Sequence, residues 1–420
     1  LLFEQMQAIK IACKNNFTII TGGPGTGKTY TAGQFLKLFW ECLPLEQRAS
    51  CQIALAAPTG KAAANLESSI RKSVQGIADF PNISAQTLHG LLGIRSSKFK
   101  RQESFRCLPA DVLIVDESSM IDVNLMGRLI EAIKPGARLI LLGDQHQLPP
   151  IEAGALFHDL VHLLKSSHRV ISLTTCLRAE LKEIVNLAQR INAGNQEEVL
   201  SLLSDGCIRH VAIAKDNELQ RRQELLEYTL SLLPDPTALY NNPFEMLKAF
   251  NKFRLLAPLR KGFFGVDTMN RLLYQASMKK APQSGQFMVP IMIVRNDYKN
   301  ELFNGEVGVL VKQSAVTECC LPGDFALFPA KEGIESTRRI PALLLPKYEY
   351  AYCLSVYKSQ GSEFDHVLLA LPLEGQFLTR ELLYTAVTRA RKQLEIWGPR
   401  STLLQMIHNA PQRFSGIVKL

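Results

Sequence analysis

Apolar runs alternate with helix-length polar–apolar segments throughout the first 165 residues. Phe17–Ile20, Ile53–Ala56, Val112–Val115 and Leu139–Leu142 are short, apolar and β-favouring, and each is followed by polar or glycine-rich punctuation. A helix-compatible stretch, Tyr30–Trp40, comes soon after the first. This alternation predicts βα units and a parallel sheet covered by helices. Residues 94–108 are basic and poorly periodic, and read as a surface insertion. A second alternating region begins near Val170–Leu173, resumes at Phe253–Ala257 and continues from Tyr350 to Trp397. Between about 286 and 346 the texture changes to short strand-like pieces, Val289–Val294, Gly308–Val311 and Ala342–Leu345, separated by turn residues. The expected organisation is one α/β domain over 1–168, a second over 169–285 and 347–420, and a small β domain inserted at 286–346.

A length of 420 residues agrees with two or three domains, and 46% hydrophobic with 21% charged residues describes a globular chain. No apolar run approaches the roughly 18 residues of a membrane span, and no signal-peptide pattern opens the chain. Nine cysteines are scattered without Cys-x-x-Cys pairs or neighbouring histidines, and the adjacent Cys319 and Cys320 read as reduced thiols. That usage points to a reducing cytoplasm rather than to disulfides or structural zinc. The net charge of +9 leans toward a polyanionic partner and gains weight only beside motifs.

Those motifs begin at Gly22-Gly23-Pro24-Gly25-Thr26-Gly27-Lys28-Thr29, between a strand-like run and a helix-like one. Glycines let backbone N–H groups converge on phosphate oxygens, and the following helix adds its positive end. Lys28 would reach the β- and γ-phosphates, and the Thr29 hydroxyl would ligate magnesium. The apolar run Val112–Val115 ends in Asp116 and Glu117. Asp116 is expected to hold Mg2+ with Thr29, and Glu117 to polarise the attacking water. A third element, Gly143-Asp144-Gln145-His146-Gln147 before Leu148-Pro149-Pro150, would place the Gln147 amide near the γ-phosphate, where it can both donate and accept.

In that order and spacing these elements resemble motifs I, II and III of superfamily-one helicases. Ala57-Pro58-Thr59-Gly60-Lys61-Ala62-Ala63, Thr87–Gly93, Tyr357–Phe364 and Leu383–Arg391 continue the likeness. Leu259–Val266 and Leu302–Gly305 narrow it to the RecD family, the alpha subunit of exodeoxyribonuclease V. The resemblance implies two RecA-like motor domains with an SH3-like insertion. It also implies an ATP- and Mg2+-dependent motor that moves 5′ to 3′ on single-stranded DNA and acts at duplex junctions. Gln5 matches the glutamine that reads adenine, and Arg178 and Arg389 match two arginines supplied by the second motor domain. A planar, always charged guanidinium suits a phosphoryl transition state. Gly361 and Glu363 join the implied nucleotide contacts. Pro58, Thr59 and His89, with Ser355, Lys358 and Gln360, are the implied strand contacts, which position a backbone without reading its sequence. Tyr357 departs from the histidine usual in the family, and either stacks or packs. RecD proteins of the full complex carry a docking domain ahead of the phosphate loop. Gln5 lies close to residue 1 here, so a trimmed or reduced homologue is expected, and assembly with RecB-like and RecC-like subunits does not follow from these residues. No acidic cluster of nuclease type is evident.

Three other classes compete. A small-molecule P-loop kinase leaves the second arginine-bearing region unexplained. A passive DNA-binding subunit leaves a complete set of hydrolytic residues unexplained. An RNA helicase differs in substrate alone, and matched DNA and RNA duplexes separate it.

Overall fold

The computed structural model describes residues 2–94, 107–150, 154–203, 208–238, 242–280, 286–297, 299–314, 319–330, 337–375, 377–410 and 417. The chain divides into two compact units, the first running to Ala179 and the second starting at Glu180.

In the first unit the strands are β1 (Phe17–Gly22), β2 (Ile53–Ala57), β3 (Ala85–Thr87), β4 (Val112–Val115), β5 (Arg138–Gly143) and β6 (Val170–Leu173). They form one parallel sheet in the order β3-β2-β4-β5-β1-β6. Successive side chains of a strand face opposite ways, so a sheet covered on both faces needs unbroken apolar runs. Ile20, Leu55, Ile114 and Leu142 pack with Phe35, Leu36, Leu66 and Ile70 of the helices Lys28–Cys42 and Gly60–Val74. Their neighbours Ile19, Leu113, Val115 and Leu141 pack with Leu125, Met126 and Leu129 of the helix Val123–Ala132 and with Phe157 and Val161. Val170–Leu173, expected to open the second motor domain, instead pairs in register with β1, Ile19 opposite Val170. The boundary therefore falls after residue 179, not after 168.

The second unit contains β7 (Ile208–Ala212), β8 (Phe253–Ala257), β9 (Phe287–Ile293), β10 (Val307–Lys312), β11 (Phe325–Pro329), β12 (Thr337–Pro341), β13 (Tyr348–Tyr350), β14 (Cys353–Ser355), β15 (Phe364–Ala370) and β16 (Ala390–Gly398). A parallel sheet has the order β14-β8-β15-β16-β7. The segment expected as an insertion at 286–346 supplies β9 to β12 of an antiparallel sheet, β12-β11-β10-β9-β13, whose edge strand β13 extends it beyond the expected end at 346. Phe287, Val289, Ile291 and Ile293 of β9 share one hydrophobic cluster with Leu255, Met269, Leu273 and Leu368, so the insertion is fused to the α/β layers beneath it. Ala342–Leu345, expected as a strand, begins as a 3₁₀ turn closed by the Leu345 N–H on the Ala342 carbonyl, between Pro341 and Pro346. Proline has no N–H to give a ladder, which favours the turn. Most of the expected insertion 94–108 lies outside the described residues. Among the described residues no helix is long and apolar enough to cross a membrane.

Candidate active site

The phosphate loop leaves the end of β1 and enters the helix Lys28–Cys42. Gly27 caps that helix at φ 84, and a Cβ there would lie 2.7 Å from Gln5 Nε2. At Gly22 a Cβ would come within 2.6 Å of the Leu173 carbonyl, so β6 fits closely behind the loop. Gly23, Pro24, Gly25 and Thr26 complete the turn, with the Thr26 hydroxyl donating to the Gly23 carbonyl at 2.9 Å. Lys28 Nζ donates to the carbonyls of Gly22 (2.6 Å) and Gly23 (3.0 Å), which holds the ammonium against the loop itself.

From the first turn of that helix the Thr29 hydroxyl donates to Asp116 Oδ2 at 3.1 Å. Asp116 Oδ1 accepts the Glu117 N–H at 2.8 Å. Burial pushes the Asp116 carboxyl up, and Lys28, the Glu117 N–H and the Thr29 hydroxyl pull against that rise without cancelling it. A magnesium ion would meet Thr29 and Asp116 here, completing its shell with water and phosphate oxygens. Glu117 stands at φ 51, ψ 39, a left-handed conformation costing a non-glycine residue on the order of 1 kcal/mol. The 3₁₀ turn Ser118–Met120 holds it there, with Met120 N–H on the Glu117 carbonyl at 3.0 Å and Ser118 Oγ on the Val115 carbonyl at 3.0 Å.

Beyond β5, Asp144 organises the third element. It accepts the His146 N–H at 3.0 Å and Gln147 Nε2 at 3.3 Å. Gln147 is 6% exposed, and among the described residues its Oε1 is buried without a donor. Gln5 shows the same pattern: Oε1 accepts the Leu2 N–H at 3.1 Å, while among the described residues Nε2 is buried without an acceptor. An orphaned buried polar atom costs about 1–3 kcal/mol, so two of them beside a phosphate loop fit a nucleotide that supplies the missing partners. Asp144 as organiser was legible only as the Gly-Asp end of a strand.

Glu4 was not anticipated. Its carboxylate accepts the Thr174 N–H (2.8 Å), the Thr174 hydroxyl (2.5 Å) and the Thr175 N–H (3.3 Å). Burial pushes this carboxyl up, and the threonine bonds outweigh it and hold it below the ordinary value. Glu4 thereby ties the helix Phe3–Lys14 to the segment that carries Arg178. That segment runs on from β6, and the Leu177 N–H donates to the Gly25 carbonyl at 3.0 Å. Arg178 thus belongs to the first unit, beside the phosphate loop, and not to the second as expected.

Arg389 belongs to the second unit and is 3% exposed. Its guanidinium donates to the carbonyls of Thr385 (3.1 Å) and Ser362 (3.0 Å) and to the Thr388 hydroxyl (3.3 Å). Arg391, its exposed neighbour, pairs with Glu363 at 3.0 Å. Glu363 therefore already has a cation, and Gly361 turns the chain before it at φ 70.

The expected strand contacts gather on one edge of each sheet. Pro58 and Thr59 follow β2, and His89 follows the neighbouring β3, with Ala57 opposite Thr87. Thr59 Oγ1 caps the helix Gly60–Val74 by accepting the Ala62 N–H at 3.2 Å, and His89 is exposed. In the second unit Ser355 ends β14 and Oγ accepts the Lys358 N–H at 3.2 Å. Gln360 follows at 9% exposure. Both groups lie beyond the carboxyl ends of parallel strands, where open α/β sheets bind ligands.

Residues 1–212 match the AAA domain family and residues 350–396 the UvrD-like helicase C-terminal domain. The chain is 36% identical over 429 residues to the RecBCD enzyme subunit RecD of Mycolicibacterium smegmatis, covering 99% of this chain and 74% of that one. It is 31% identical to the ATP-dependent RecD2 DNA helicase of Deinococcus radiodurans, covering 95% of this chain and 49% of the other. In fold it is similar to Bacteroides Pif1 helicase solved with ADP-AlF3 and single-stranded DNA, with a TM-score of 0.51, 18% identity and coverage of 98% and 95%.

Proposed function

The chain belongs to the RecD family of superfamily-one helicases, and on that premise we propose that it is an ATP-dependent DNA helicase translocating 5′ to 3′ on single-stranded DNA. The Thr29–Asp116 bond of 3.1 Å carries the reading, because it joins the phosphate loop to the carboxylate that a nucleotide-bound magnesium requires. Lys28 and the loop N–H groups bind the phosphates. Glu117 orients and deprotonates the attacking water, and the Gln147 amide senses the γ-phosphate. Magnesium, when bound, neutralises charge that builds on the phosphate oxygens. Arg178 and Arg389 are the proposed guanidinium partners of that same charge. Pro58, Thr59, His89, Ser355, Lys358 and Gln360 are proposed to hold the strand by its backbone, independent of sequence. RecB-like and RecC-like chains are the proposed subunit partners, after the name the mycobacterial relative carries, and the proposed location is the cytoplasm.

Duplexes with a single 5′ or 3′ tail, assayed for strand separation with ATP consumption followed in parallel, test this directly. The 5′-tailed duplex is expected to open and single-stranded DNA to stimulate hydrolysis. Opening of the 3′-tailed duplex alone reverses the direction, and hydrolysis indifferent to DNA removes the motor. An RNA duplex opened as readily as the DNA one overturns the substrate.

Gln5 tests the base contact. Gln5→Ala removes the buried Nε2 that lacks an acceptor, so KM for ATP is expected to rise about tenfold and the preference over GTP to vanish. Steady-state hydrolysis of both nucleotides measures it, and retained ATP preference assigns base recognition elsewhere.

A further inference from the structure

Leu259–Val266 carries part of the family likeness, yet no role above uses it. It follows β8, just as Lys358 follows β14, and these two strands are adjacent and parallel with Ala257 opposite Ser355. Arg260 and Lys358 each lie three residues beyond that matched pair. Glu349, on β13, joins them: Oε1 accepts Arg260 Nη2 at 2.6 Å and Oε2 accepts Lys358 Nζ at 3.2 Å. Asp267 takes Arg260 Nε at 3.2 Å. The group stays open to solvent, with side-chain exposures of 59% for Arg260, 32% for Lys358 and 25% for Glu349.

One carboxylate whose two oxygens each accept from a different cation has the shape of a phosphodiester bridging the same cations. From this geometry we infer that Arg260 and Lys358 clamp one phosphodiester of a nucleic-acid strand, and that Glu349 is the resident counter-ion which the phosphate displaces. Two cations and two carboxylates leave the cluster neutral without a strand. Binding here is then an exchange of anions and not a simple attraction. Such an exchange suits a grip that must release in every cycle, since Glu349 reclaims both cations as the phosphate leaves. Burial pushes the Glu349 carboxyl up, but Arg260 and Lys358 outweigh it and keep it below the ordinary value, so the counter-ion is charged at neutral pH. The inference rests on the chain being a DNA motor and adds Arg260 and Glu349 to its strand contacts.

Fluorescence anisotropy with labelled oligothymidylate, titrated with the intact chain over a salt series, tests it. Arg260→Gln is expected to weaken binding about tenfold and to lower the log–log salt slope by about 0.7, the loss of one strand phosphate contact. Arg260→Lys keeps the charge and is expected to keep the slope. Glu349→Gln is expected to tighten binding about fivefold, because the phosphate no longer competes with a carboxylate. A structural network predicts the opposite sign for Glu349→Gln. Weaker binding by that variant, or parental affinity and slope for Arg260→Gln, overturns the clamp. DNA-stimulated ATP hydrolysis by the parent chain is measured alongside. Its absence refutes the motor, whereas the clamp stands or falls on oligonucleotide binding.

Discussion

Replacing Lys28 with alanine is expected to abolish ATP hydrolysis, lowering kcat by about a thousandfold or more while the chain stays folded. Lys28 is the first residue of its helix, where alanine is a favourable substitute. Among the described residues its ammonium donates to the carbonyls of Gly22 and Gly23, which are half-buried and can turn to water, and it also offsets the buried Asp116 carboxyl, so the variant is expected to fold at a cost of about 1–3 kcal/mol. The catalytic loss is much larger. Without Lys28 the loop keeps neutral N–H donors but no mobile cation to follow charge from the β- to the γ-phosphate. Single-turnover hydrolysis with a thermal melt separates the two effects. A variant that cleaves ATP at the parental rate, with an unchanged melt, refutes the assignment of the site.

Lys28, Thr29, Asp116 and Glu117 were legible because each sits where an apolar run ends abruptly in glycine or acid. β1, β4 and β5 are buried on both faces, so their sequences are unbroken and their ends are sharp. Val170–Leu173 has the same texture, but an apolar run does not say which sheet it joins, and its pairing with β1 moved Arg178 into the first unit. β12 was missed because Thr337-Arg338-Arg339-Ile340-Pro341 is too polar to read as buried. The Arg260–Glu349–Lys358 group was invisible for another reason. Arg260 is 89 residues from Glu349 and meets Glu349 and Lys358 because β13 runs directly into β14, which lies beside β8. The orphaned amides of Gln5 and Gln147 were equally hidden, since burial without a partner is a property of the fold alone.

Arg389 and Arg391 pose the sharpest choice between neighbours. Arg391 is neutralised by Glu363, whereas among the described residues the Arg389 guanidinium donates to uncharged oxygens, the Thr385 and Ser362 carbonyls and the Thr388 hydroxyl. Its bonds to uncharged carbonyls are the kind a phosphate oxygen outcompetes. Arg389→Ala is expected to lower kcat about a thousandfold with little change in ATP affinity, because the charge it is proposed to meet develops only during cleavage. Part of any effect on the fold comes from the buried Ser362 carbonyl, whose loss of the Arg389 donor costs up to about 1–3 kcal/mol, whereas the Thr385 carbonyl keeps the Thr388 hydroxyl at 3.0 Å. Arg389→Lys controls for this: it restores a donor and a charge but not the planar fork, so the melt is expected to recover more than kcat does. Arg391→Ala is expected to stay within about threefold of the parent, as an exposed ion pair contributes little. Should Arg391→Ala cripple hydrolysis while Arg389→Ala changes only the melting temperature, the two arginines exchange roles and Arg389 becomes a structural staple between Thr385 and Ser362.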